Sequence, residues 1–376
     1  MKILIATDSF KGSMTSIEVA DCLESGFKTV DKNLEIIKVP ISDGGEGLVD
    51  ALISGNNGKR VEVKVTGPLG NYIDSYYGIS EDGKTAYIEV ATAIGLYLLD
   101  ENERNPMNTT TYGVGELIVD AVQKGCENII VGLGGSSTND GGMGMARALG
   151  VRFFSDSGKE LIGYGRELQM VRKIEIANMP PLIKTVKFKI ACDVDKPLTG
   201  KNGATYVFSP QKGANVEMVA ELEKGMLNYQ AVIEETLKSD ISKIRGGGAA
   251  GGLGAAFVSY LDGEMIQGIK LVIAETKLEE SIKIADLIIT GEGKIDNQTL
   301  YGKVPVGISS LGKKYKKKTI AMAGKVDIQK EDLFDLGIED IICITPEGMI
   351  LEDAMKEAKE NTFNIAKVIY EKHIKL

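Results

Sequence analysis

Five short apolar runs, two near the start of the chain and three near its end, constrain the fold more than any other feature of this sequence. Residues 2–6, 35–40, 286–290, 319–323 and 340–345 are nearly continuous in Ile, Leu, Val and Ala. Such runs fit buried strands of a parallel sheet with helices over both faces. Between them, residues 61–66 (VEVKVT) and 186–191 (VKFKIA) alternate apolar and polar side chains. That alternation fits strands with one wet face, in a sheet of another type. The economical arrangement is a doubly wound α/β domain made from residues 1–58 and 283–376, interrupted by an inserted mixed α/β domain over residues 59–282. At 376 residues the chain is long enough for two such cores.

Two helices have readable signals. Thr15 and Glu18 form a capping box, followed by Val19, Leu23, Phe27 and Val30 at helical spacing. The stretch 352–372 carries Ala354, Ala358, Phe363, Ala366 and Ile369 near one stripe, as an amphipathic helix would. The lysines of 313–318 read as a solvated helix end. No repeat of 20–50 residues is present; the echo of Asp43-Gly-Gly-Glu-Gly47 in Asp140-Gly-Gly-Met-Gly144 reads as similar loop chemistry.

Several function classes are excluded by composition. With 44 Lys+Arg against 53 Asp+Glu, the net charge of -9 argues against a nucleic-acid or anionic-membrane partner. Cys22, Cys126, Cys192 and Cys343 are far apart and form no Cys-x-x-Cys, which points to a reduced, cytoplasmic setting. The start, MKILIATDSFKG, lacks a signal-peptide pattern, and no run is long enough to suggest a membrane span. The one histidine, His373, lies near the end of the sequence. Histidine-based triads, H-E-x-x-H metal sites and histidine phospho-carriers are therefore set aside, and proton transfer falls to Asp, Glu or Lys.

Glycine is the positive oddity: 45 residues, where average usage gives about 26 for this length. Much of the excess is clustered, as in loops whose backbone must approach something closely. Thr7-Asp8-Ser9-Phe10-Lys11-Gly12 follows the first run, where open α/β sheets bind ligands. It fits a substrate carboxylate or a phosphoryl group, or simply a turn. Ser42-Asp43-Gly-Gly-Glu46-Gly47 follows the second run and exposes two acids able to orient a hydroxyl, take its proton or hold magnesium.

Gly134-Gly135-Ser136-Ser137-Thr138, between a strand at 129–133 and a helix through Met145 and Ala148, is the best phosphate cradle by physics alone. Asp193 and Asp195, at i and i+2 after a strand, suit a magnesium site or a base beside one. Gly246–Gly254 contains a formal G-x-G-x-x-G without the flanking strands of a dinucleotide fold, so it reads as an anion- or adenine-facing loop. Thr290-Gly291-Glu292-Gly293-Lys294-Ile295-Asp296 reads as a loop after the third run, facing Asp8–Lys11. Neither a P-loop nor a protein-kinase motif set is present.

Taken together, DSFKG, SDGGEG, RNPMNTTTYGVGEL, IIVGLGGSSTNDGGMGM, ACDVDKPLTG, FSPQKGA, GGGAAGGLGAAF and ITGEGKIDNQTLYGK resemble the bacterial type I glycerate kinase family (glycerate 2-kinase) in family order. Two departures are Thr7 and Arg245, where many members have proline. The resemblance implies a flavodoxin-like doubly wound parallel-sheet domain with an inserted, restriction-enzyme-like mixed α/β domain. It also implies phosphorylation of glycerate by ATP with Mg2+, giving a phosphoglycerate expected to be 2-phosphoglycerate.

On this reading the substrate lies in an interdomain cleft, touching Ser9, Asp43, Glu46 and Arg104. ATP lies against Gly134, Gly135, Ser136, Ser137 and Thr138, near Gly247, Gly248, Gly291, Glu292 and Gly293. Lys11 stabilises charge on the transferring group, and Asp43 or Asp193 takes the proton. Asp193 and Asp195 are the candidate metal ligands. A nicotinamide-dependent oxidoreductase of a hydroxy acid and a non-catalytic nucleotide sensor are the alternatives. The oligomeric state stays open, a homo-oligomer included.

Overall fold

The most continuous apolar runs become the central strands of a parallel sheet. The computed structural model describes residues 1–329 and 331–375, which form a mixed α/β protein of two compact units. The first unit comprises Met1–Asp43, Asp50–Asn56 and Ile269–Leu376, and the second Gly44–Val49 and Asn57–Gly268.

The first unit holds five strands: Lys2–Thr7, Glu35–Lys38, Leu287–Asp296, Lys318–Asp327 and Asp340–Cys343. Numbered along the chain within this unit, they lie in the spatial order 2-1-3-4-5, and every neighbouring pair is parallel. Side chains alternate across the sheet, so each face has its own core. Ile3, Ile5, Ile289 and Met322 pack under the helices Ser16–Val30 and Ala358–His373. Ala321, Ala323 and Ile341 pack with Val306 of the helix Val304–Lys314.

The structure departs from the sequence reading in three places. Glu35–Lys38 and Asp340–Cys343 are edge strands and only partly buried, because each lacks a neighbour on one side. The expected helix over 352–372 is two helices, Leu351–Lys356 and Ala358–His373, and Phe363 lies beside the buried stripe of Ala358, Thr362, Ala366 and Ile369. The third strand does not stop at Thr290. It runs on to Asp296, pairing Lys294–Asp296 with Lys325–Asp327, so the segment read as a loop is strand. Gly293 and Gly324 lie so close that a methyl on Gly324 would be 2.8 Å from the Gly293 oxygen.

The capping box is present as read: Thr15 Oγ1 accepts from the Glu18 N–H, and the Glu18 carboxylate accepts from the Thr15 N–H at 2.9 Å. Val19, Leu23 and Phe27 are buried, whereas Val30 is exposed at the helix end.

The second unit is built on a six-stranded mixed sheet. In space its strands run Glu264–Ile266, Lys187–Ala191, Asn128–Gly132, Thr85–Glu89, Tyr72–Ile79 and Lys59–Thr66. The first four are mutually parallel and the last two join as antiparallel hairpin strands. Its core includes Ile88, Val131 and Ile190 from the sheet, with Leu117, Met145 and Phe257 from covering helices. No helix among the described residues is long and apolar enough to cross a membrane.

Gly26 shows how tightly the first unit is packed. It sits within the helix Ser16–Val30, and a methyl there would strike the Phe363 carbonyl and lie 2.7 Å from the Ala366 methyl. Gly26→Ala gains about 1 kcal/mol of helix propensity, but overpacking costs about 1–3 kcal/mol. Net destabilisation in urea unfolding is therefore expected. A variant as stable as the parent or more so would show that the two helices can move apart freely.

Candidate active site

A parallel sheet gathers its carboxyl-terminal strand ends on one edge, and ligands bind there where the strand order reverses. In the first unit that reversal falls between Lys2–Thr7 and Leu287–Asp296. The segment after the first strand turns sharply: the Asp8 N–H donates to the Gly291 carbonyl at 2.8 Å, and Gly12 takes φ +79°. This turn holds Asp8 against the end of the third strand, with only 3% of its surface exposed.

Asp8, Ser9, Lys11, Asp43, Glu292 and Gly293 share one cavity of about 610 Å3. Lys11 Nζ lies 3.6 Å from Asp43 Oδ2. Lys303 Nζ lies 3.7 Å from Glu292 Oε2, and Thr299 Oγ1 donates to Glu292 Oε1. Ser9 Oγ is buried and has no hydrogen-bond partner, so it offers a hydroxyl to a ligand.

The electrostatics follow from burial and like charge. Burial pushes the Asp8 carboxyl well above the ordinary carboxylate range. The Asp43 charge adds to this, while the Ser9 N–H, donating to Oδ1 at 2.7 Å, and Lys11 oppose it. Burial also raises Glu292, against the Thr299 hydroxyl and Lys303. Asp43 is the main cause holding the Lys11 ammonium above its usual value, so Lys11 stays a cation.

Sequence reasoning grouped Asp8 with Ser9 and Lys11 around a substrate carboxylate or a phosphoryl group, but did not single it out among the site residues. Its burial beside Glu292, far away in the chain, carries the importance, and no local pattern reveals that. Lys303 was passed over for the same reason.

The remaining candidates lie in the second unit. The loop carrying Glu46 uses its glycines for chain-on-chain packing: a methyl on Gly44 would be 2.7 Å from that of Ala191, and one on Gly134 would be 2.7 Å from the Gly45 Cα. Glu46 itself is exposed. In the Gly134–Thr138 turn, both the Ser137 N–H and its hydroxyl donate to the Ile94 carbonyl, at 2.8 and 2.9 Å. Beneath the turn is Lys212, which the sequence reading missed. Its buried ammonium donates to Ser136 Oγ at 3.0 Å and to the Thr138 carbonyl at 2.7 Å. Burial lowers its pKa to about 7, with Asp140 opposing.

Asp140 is fully buried and accepts from Thr111 N–H and Oγ1 and from the Gly142 and Gly144 amides, which starts the helix Met143–Ala148. Arg104 is half-buried, and its Nε is buried without a hydrogen-bond partner. The Gly247 and Gly248 amides donate to the Ile244 and Lys196 carbonyls.

Asp193 Oδ1 accepts from the Gly268 N–H at 2.9 Å, whereas Asp195 is exposed beside Lys196. Among the described residues, no group of three or more His, Cys, Asp or Glu side chains is placed to hold a metal ion. His373 is paired with Asp340 at 2.8 Å, a contact at the end of the C-terminal helix.

The glycerate kinase family model matches residues 3–373. The chain is 45% identical to a glycerate kinase of Bacillus cereus, covering 98% of this chain and 97% of that protein. It is 42% identical to the glycerate 2-kinase of Escherichia coli strain K12, covering 96% and 95%. A crystal structure from Salmonella typhimurium LT2, described as a glycerate kinase 2, superposes with a TM-score of 0.87 at 41% identity, covering 99% of this chain and 97% of that one.

The raised Asp8 carboxyl gives a testable sign. The folded state holds its proton more tightly than the unfolded chain, so Asp8 costs stability as pH rises from the unfolded value through the folded one. Asp8→Asn removes that cost. Its melting temperature is expected to exceed the parent's by a few degrees at pH 8, with the gap closing toward about pH 4. A gap independent of pH, or of opposite sign, would contradict the buried, proton-retaining carboxyl.

Proposed function

The chain belongs to the glycerate kinase family, and we propose that it transfers a phosphoryl group from ATP to the 2-hydroxyl of glycerate at the strand ends of a flavodoxin-like domain. Phosphorylation of glycerate is the activity of the family, and ATP is the donor that such a kinase requires. The all-parallel 2-1-3-4-5 strand order supports the flavodoxin-like reading. The interrupted first unit supports an inserted mixed α/β domain. Four free cysteines suit a reducing cytoplasm.

The observation that carries the assignment of the site is the cluster of Lys11, Asp43 and Ser9 around the strand reversal. Phosphoryl transfer is mainly positioning and charge stabilisation. Lys11 remains protonated and exposed beside Asp43, so its ammonium neutralises charge developing on the transferred oxygens. Asp43 orients the acceptor hydroxyl and takes its proton. It is preferred to Asp193 because it lines the same cavity as Lys11 and Ser9, whereas Asp193 belongs to the second unit. Ser9 Oγ donates to the acceptor. In the second unit, Arg104 and the Gly134–Thr138 turn, backed by Lys212, are suited to an anionic ligand.

Magnesium fits as a partner of the nucleotide, since the described residues offer no ready cage of three acidic, imidazole or thiol ligands. Magnesium commonly keeps several waters and binds substrate phosphates with few protein ligands.

Incubation with ATP, Mg2+ and each glycerate enantiomer, followed by phosphorus NMR, is expected to show 2-phosphoglycerate from one of them. A 3-phosphorylated product would overturn the acceptor position, and no phosphoglycerate would overturn the function. In the same assay Lys11→Ala is expected to lower kcat by about 100-fold or more. A folded variant with near-parental turnover would remove Lys11 from the transition state.

A further inference from the structure

The cavity at the strand reversal is chemically divided. One end carries the acids and lysines already described, together with Lys294 and Lys325. Beyond the end of the fifth strand the lining is an apolar shelf made by Ile344, Leu351, Ala354, Met355 and Ala358. Glycerate is a three-carbon acid with two hydroxyls and fills only a corner of about 610 Å3. It has no apolar surface to place on the shelf, and burying its polar groups there would be costly.

Resting on the reading of the chain as an ATP-dependent glycerate kinase, we propose that this shelf binds the nucleoside of the phosphate donor, with Leu351 and Met355 against the face of the base. The divided lining matches a nucleoside triphosphate, which is flat and weakly polar at one end and anionic at the other. Pockets of this size commonly take ligands of that kind by combining an apolar wall with a few convergent polar groups.

The shelf is built rather than incidental. Leu351 is 75% and Met355 38% exposed on the short helix Leu351–Lys356, while Ala354 and Ala358 beneath them are buried. Met355 lies on the turn after the first strand: a methyl on Gly12 would be 2.7 Å from its Cε. The Thr345 hydroxyl donates to the Gly324 carbonyl at 2.6 Å, tying the wall to the fourth strand. At the anionic end, Lys294 is shared between Asp296 at 3.2 Å and Asp327 at 3.1 Å. Lys325 makes no ion pair among the described residues, so its charge is available to a phosphate.

The test is calorimetric titration of ADP into the parent and into Leu351→Asp/Met355→Asp, with KM measured for both substrates. An aspartate pair on the shelf repels the phosphates and removes the contact with the base. The Kd for ADP and the KM for ATP are expected to rise at least about tenfold, with the KM for glycerate nearly unchanged. Unchanged ADP affinity, or a rise confined to the glycerate KM, would overturn the assignment.

Leu351→Asp alone, at a largely exposed position, serves if the double variant does not fold. Photolabelling of the parent with 8-azido-ATP adds an independent readout. Label is expected within residues 344–358, and label confined elsewhere would also overturn the proposal. Failure of the reading itself is separate: it appears as ADP binding on the shelf without phosphoryl transfer to glycerate.

Discussion

The parallel pairing of Lys2–Thr7 with Leu287–Asp296 is the interaction on which the candidate site depends. It joins segments nearly three hundred residues apart and sets Thr7 opposite Gly291. From that register it follows that Asp8 reaches the Gly291 carbonyl and becomes buried beside Glu292. A one-residue slip would turn every side chain to the other face and disperse the acids. The long intervening segment is tolerable because loop-closure entropy grows slowly, by about 0.6 kcal/mol per doubling of length. The central strands are buried on both faces, which gives the pairing ample hydrophobic support.

The second unit solves a different problem, the burial of charge. Asp140 and Lys212 are both buried, and each is held by several hydrogen bonds rather than left bare. Glycines let the chain come close enough to provide them. Gly142 starts a helix at φ +73°, and Gly251 passes so near the Thr138 carbonyl that no side chain fits. The Gly134–Thr138 turn is thereby fixed from beneath by a lysine and from the side by Ile94. A turn held so firmly presents its groups with little reorganisation.

Much of this was legible in the sequence, for physical reasons. The central strands announced themselves because double burial demands unbroken apolar residues, and Thr15 with Glu18 marked a helix start through local hydrogen bonds alone. The edge strand Glu35–Lys38 was read as buried like the others, but it is only partly so, since one side faces no partner. The strand extension through Gly293 to Asp296 was hidden by glycine and charge, which locally resemble a loop. Lys212 and Asp8 illustrate the limit in the site. Each is defined by neighbours distant in the chain, Ser136 and Thr138 for one and Glu292 for the other, so periodicity and spacing have nothing to say about them. Glycine density was readable, but whether a glycine faces a ligand or another segment of the same chain was not, as Gly248 against the Pro197 carbonyl shows.

The central claim is that phosphoryl transfer takes place at the strand reversal of the first unit, next to Lys11. Its most direct measurement is a crystal structure of the protein with ADP, magnesium, aluminium fluoride and glycerate, in which the planar fluoroaluminate marks the transferring group. The account predicts that group within hydrogen-bonding reach of Lys11 Nζ, with the acceptor hydroxyl on Asp43. Fluoroaluminate bound away from Lys11 and Asp43 would contradict it.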